Sequence, residues 1–85
     1  MNDRLVIEQL VIRSLAAVME CEPSRIRLAT STAELGVDSF AMFWLISQVE
    51  EALETELSPA QVMQIFQSQS VGDLVDAISR SKRLR

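Results

Sequence analysis

Ser39 is the side chain best placed for covalent chemistry, because of what stands around it and what does not. It follows Asp38, three residues after Gly36, in the run Leu35-Gly36-Val37-Asp38-Ser39-Phe40. A serine that attacks a substrate itself needs a base to take its proton. The chain has no histidine, and its lysine, Lys82, lies far along the sequence. A hydrolytic role therefore has no base to run it. The same setting suits a hydroxyl that a separate enzyme modifies. At an exposed helix start it projects to solvent, where the backbone N–H groups and the positive end of the helix dipole favour an attached phosphate. A plain capping or turn serine is the other reading that local chemistry leaves open.

The remaining constellations carry less. Glu50, Glu51, Glu54 and Glu56 crowd one stretch, but without histidines or the loop spacing of an oxygen-ligand site no metal is expected. Gly36 and Gly72 stand too far apart for a phosphate-cradling loop. Cys21, the single cysteine, excludes an internal disulfide and reads as a small half-buried residue at a helix end. Four bases at 80–85 without interleaved aromatics, in a chain of net charge −4, give no case for nucleic acid. The apolar stretch Leu5 to Met19 is interrupted by Glu8, Gln9, Arg13 and Ser14. It is too short and polar to span a bilayer and lacks a signal peptide's marks, so the cytoplasm is the expected compartment.

The elements that must hold Ser39 follow from periodicity. Eighty-five residues with 48% apolar content, two glycines and two prolines suit one helical domain over 1–85, with its core in 3–79 and a basic tail at 80–85. Asn2 or Asp3 can cap a first helix to about Met19 or Glu20, buried through Ile7, Leu10, Val11, Ser14, Leu15 and Val18 and widened by Leu5 and Ile12. Pro23 forbids its continuation. A long connection follows, anchored by Ile26, Leu28 and Leu35, with one short helical turn expected within 30–35 and a permissive backbone at Gly36. Asp38 is the expected N-cap of a second helix to about Glu56, with Leu45, Val49 and Leu53 as its core line, widened by Met42, Ile46 and Leu57. Ser58 and Pro59 open a short third helix to Phe66, with Val62, Ile65 and Phe66 inward. Ser70 or Gly72 opens the last, on Val71, Leu74, Val75 and Ile78. The expected fold is a small all-α four-helix bundle with three principal helices, a short third helix and a long loop between the first two.

Two surface features lie on the second helix. Residues 31–78 carry eight acids and no base, a single-sign field that steers partners with basic faces. On a helical wheel Phe40 and Trp44 fall away from the core line and Phe43 on its flank. The three form a candidate contact patch, unless Trp44 folds back on the loop near Leu28 and Leu35.

The run from Leu35 to Phe40 resembles the phosphopantetheine attachment motif of acyl carrier proteins, Leu-Gly-x-Asp-Ser-Leu. The likeness continues through Leu45, Ile46, Val49, Glu50, Glu51, Leu53 and Leu57, and through Val71-Gly72-Asp73-Leu74-Val75-Asp76-Ala77-Ile78. In all it covers 5–78. It implies a monomeric, non-catalytic carrier in which Ser39 takes 4'-phosphopantetheine from coenzyme A through a phosphopantetheinyl transferase, Asp38 capping the helix and marking the site beside Gly36. The cargo would be an acyl or polyketide intermediate held as a thioester, loaded by an acyltransferase or ligase and used by a ketosynthase or other pathway enzyme. Glu50, Glu51 and Glu54, with Phe40, Phe43 and Trp44, would meet these partners. Three departures from fatty-acid carriers (Phe40 for leucine, Trp44 where an acid is common, a longer stretch from Ala60 to Ser70) favour a freestanding polyketide-type carrier of secondary metabolism. The alternatives are an aminoacyl or peptidyl carrier and an unmodified helical interaction protein.

Overall fold

The computed structural model describes residues 3–80. Helix α1 covers Asp3–Met19, α2 is the short Thr32–Leu35, α3 is Ser39–Leu53, α4 is Pro59–Phe66 and α5 is Val71–Ser79. The domain is all-α, with α1, α3 and α5 as principal helices and a short α4, as the periodicity requires. Helix α1 packs on both α3 and α5, and α4 closes the bundle against α5 and, less extensively, α3. Ile7, Val11, Leu15, Leu45, Val49, Ile65, Val71, Leu74, Val75 and Ile78 form the fully buried centre. They recur at three- and four-residue steps, which puts each helix's apolar stripe on one side.

Several boundaries and faces differ from expectation. Helix α1 includes Asp3 as its first residue, so Asp3 is not the cap; Asn2 lies outside the described residues. Leu5 is half exposed instead of widening the core face, since it sits about 160° round the helix from Ile7. Helix α3 ends at Leu53 rather than near Glu56. Glu54 takes a left-handed conformation (φ 53°) and its N–H returns to the Glu50 and Glu51 carbonyls. No glycine or asparagine announces that stop. It turns the chain so that Leu57 reaches the core. Phe66, expected inward, is 38% exposed, because Ile65 beside it takes the core position on α4. Helix α5 reaches Ser79, and Arg80, the first residue of the basic tail, donates to the Gln64 side chain at 2.9 Å. The rest of the basic tail, 81–85, lies outside the described residues.

The long α1–α3 connection is an ordered strap. It holds a three-residue 3-10 turn at Pro23–Arg25 that no periodicity announced, and α2, capped by the Ser31 hydroxyl. Backbone bonds lace it to the α4–α5 junction: Thr32 N to Gln69 O (3.1 Å), Val71 N to Thr30 O (2.9 Å) and Gly72 N to Leu28 O (2.8 Å). The Thr32 hydroxyl adds a bond to the Ser68 carbonyl, and Ile26 anchors the strap in the core. These partners, with the two short helical turns, let a connection this long satisfy its backbone.

Candidate functional site

The strap ends by setting up the first turn of α3. Gly36 closes α2 in the left-handed conformation (φ 78°), its N–H donating to the Ala33 carbonyl at 3.1 Å, while Val37 N–H returns to Thr32 O at 3.0 Å. A Cβ at Gly36 would meet nothing closer than the Met19 methyl at 3.8 Å, so the backbone sign, not lack of space, calls for glycine. Val37 packs against the core. Asp38 is then extended and caps α3: its Oδ1 accepts from Ala41 N–H at 3.0 Å, and its carbonyl takes Met42 N–H at 3.0 Å.

Ser39 is the first helical residue and is exposed. Burial of Ala41, Met42 and Leu45 fixes the rotation of α3 and keeps that hydroxyl outside. Its oxygen makes no hydrogen bond to any described residue. The adjacent carboxylate is committed to the cap, so no base is set against it. An incoming group meets an open, unpartnered hydroxyl.

Around it the expected surface residues separate into two sets. Phe40 is 69% and Phe43 61% exposed, whereas Trp44 is half-buried yet outside the apolar side chains packed on the core. Phe43 meets Phe66 edge to face, with ring centroids 5.1 Å apart at 65°. Met63, one turn back on α4, is 61% exposed. Met63 escaped sequence reasoning and Phe66 was expected inward, although their i, i+3 spacing beside Ile65 marks a second apolar face. On the acidic side Glu51 and Glu54 are exposed. Glu50 is half-buried, and its Oε2 accepts Leu57 N–H at 3.0 Å, which ties it to the α3–α4 turn.

Cys21 is half-buried at the end of α1, on an open groove of about 360 Å³ with Met19, Arg25, Thr30, Glu34 and Leu35. Among the described residues no group of three or more potential ligands could hold a metal ion, and no helix is long and apolar enough to cross a membrane.

The described residues thus form a helical domain that presents an exposed serine at a capped helix start. A family model described as phosphopantetheine attachment site matches residues 9–78, and the chain belongs to that family. Comparison with curated proteins found no match. Domains of this family carry 4'-phosphopantetheine covalently and are in general non-catalytic. They meet a phosphopantetheinyl transferase and the enzymes of a pathway. The residues present fit such a group: an exposed hydroxyl, nothing bonded to it, and a capped helix start beneath.

Proposed function

We propose that the protein is an acyl carrier in which Ser39 anchors the arm and presents an acyl or polyketide intermediate to partner enzymes. The observation that carries this is the unpartnered, exposed Ser39 hydroxyl on the first residue of α3, directly after the capping Asp38. In the attachment step the Ser39 oxygen forms a bond to the pantetheine-side phosphorus as the pyrophosphate bridge of coenzyme A breaks. The departing nucleotide takes the electron pair. The hydroxyl proton goes to a base of the transferase, since this chain supplies none there. The arm's thiol then holds the cargo as a thioester, loaded by an acyltransferase or ligase and consumed by a ketosynthase or similar enzyme. Tethering raises the cargo's effective concentration at each partner's site.

Glu51 and Glu54 steer basic partner faces in this scheme, with Phe40, Phe43 and Trp44 as the apolar contact and Glu50 supporting the turn that carries Glu54. Phe40, Trp44 and the length of the 60–70 stretch support a polyketide-type pathway over bulk fatty-acid synthesis. Mass spectrometry of protein isolated from its native host, with gas-phase ejection of the arm, reads anchor and cargo together. The expected result is an acyl-pantetheine ion released from the peptide containing Ser39. An aminoacyl-pantetheine ion would assign the protein to peptide synthesis instead, and an unmodified peptide would remove the carrier role.

A further inference from the structure

A groove of about 230 Å³ opens between α1 and the last turn of α3, lined by Val6, Gln9, Leu10, Arg13, Ala52 and Leu53. The two helices run antiparallel. Leu53 lines the groove with Val6 and Leu10, while Met19, at the other end of α1, lies beside Gly36 at the head of α3. Ser39 stands at the opposite end of α3 from Ala52, about 20 Å away at 1.5 Å per residue. The groove is mostly apolar, and its two walls differ in charge. Arg13 is exposed and is the one charged residue in 9–19, and its guanidinium makes no hydrogen bond or ion pair with a described residue. Glu8 lies about 140° round the helix from it and is paired with Arg4, which also holds Asp76. On α3, Glu51 and Glu54 bracket Ala52 and Leu53 and are exposed, whereas Glu50 is committed to Leu57 N–H.

Size and charge decide among occupants. A stable interface with a second copy needs about 800 Å² from each partner. The apolar lining falls far short of that, since Val6 is 49% exposed and Leu10 and Leu53 are already half-buried. One helix laid along the α1–α3 seam needs less, with apolar anchors at i, i+3, i+4 and i+7. A wholly apolar helix would cover the Arg13 guanidinium without a partner, and nothing would offset its desolvation. A carboxylate on that side of the helix supplies the partner, and a lysine or arginine on its other side meets Glu51 and Glu54. We propose that the groove docks an amphipathic helix of a partner protein, its apolar stripe flanked by acids on one side and bases on the other. Turning such a helix end for end exchanges its flanks, so the two walls fix its direction as well as its charge. Because the groove and Ser39 lie at opposite ends of α3, this partner stays attached while the serine remains open to others. The docking does not depend on what Ser39 carries.

The test uses the full chain, labelled in its methyl groups, and a synthetic helical peptide of about 14 residues, or four turns. The peptide carries leucines at the four anchor spacings, glutamates along one flank, lysines along the other and a nitroxide at its N-terminus. Binding is expected to shift the methyls of Val6, Leu10, Ala52 and Leu53. The nitroxide should broaden one end of the groove, at Val6 or at Ala17, and not both. A peptide with its two flanks exchanged should broaden the other end. R13Q should weaken binding by about 2–5-fold, and R13E should leave both ends broadened alike, the melting temperature of each variant confirming an unchanged fold. Broadening that ignores the exchange of flanks, or an R13E protein that keeps the wild-type direction, would overturn the proposal. So would the absence of groove shifts at millimolar peptide, or shifts at Phe43 and Phe66 in their place. The same groove shifts appearing in peptide-free protein as its concentration rises would make the occupant a second copy, and would also overturn it.

Discussion

Asp38 caps α3, a second role in marking the site for the transferase is proposed for it, and substitution separates the two. Its Oδ1 satisfies Ala41 N–H at the start of α3, so D38A should cost about 1 kcal/mol. For a domain of this size that is a fall of about 4–8 °C in melting temperature. Asparagine caps as well as aspartate, so D38N should melt close to wild type. If Asp38 also marks the site for the transferase, arm transfer should slow in both variants. Transfer unchanged in D38N would reduce the residue to a cap. Thermal unfolding beside transfer rates reads both effects on the same samples. Much of this was legible from residue types: a short acid before a serine after a glycine specifies a stop, a cap and a helix start. The commitment of Glu50 to Leu57 N–H was not, because a carboxylate seven residues from its partner leaves no local pattern.

At the scale of elements, the helices were read from apolar spacing and the strap was not. Ser58 with Gln61 forms a reciprocal capping box and Ser70 caps α5, local devices that sequence displays openly. Glu54 and the pairing of the strap with the α4–α5 junction depend on non-local contacts, which propensity does not see. Trp44 and Phe66 show the same limit on a helix face: a wheel gives direction, but the neighbouring helix decides how much of a ring is covered. Gly72 tests the strap. Its N–H bonds Leu28 O, and a Cβ there would stand 3.1 Å from that same carbonyl. Alanine for glycine inside a helix ordinarily gains up to about 1 kcal/mol. Here the carbonyl cannot retreat without lengthening the bond it accepts, so G72A should forfeit that gain and lower the melting temperature. It should also speed amide exchange at Val71 and Thr32. A more stable G72A with unchanged exchange would mean that the strap yields freely.

For the whole molecule, charge is arranged so that a neutral first half and an acidic end share the helix that starts at Ser39. Glu51 is exposed and joins the turn only through its backbone carbonyl, so E51K should change stability by no more than about 0.5 kcal/mol. It should slow association with partners of basic face, and the wild-type rate should fall as salt rises from about 50 to about 500 mM. Transfer rates indifferent to both changes would remove the steering role. The central claim, that this fold exists to hold one modified hydroxyl in the open, has a more direct test. Intact mass is measured before and after incubation with coenzyme A, Mg²⁺ and a broad-specificity transferase, for wild type and S39A. Wild type is expected to gain the mass of one phosphopantetheine arm. S39A, folded to the same melting temperature within a few degrees, is expected to gain none. An equal gain in S39A, or none in either protein, would contradict the account.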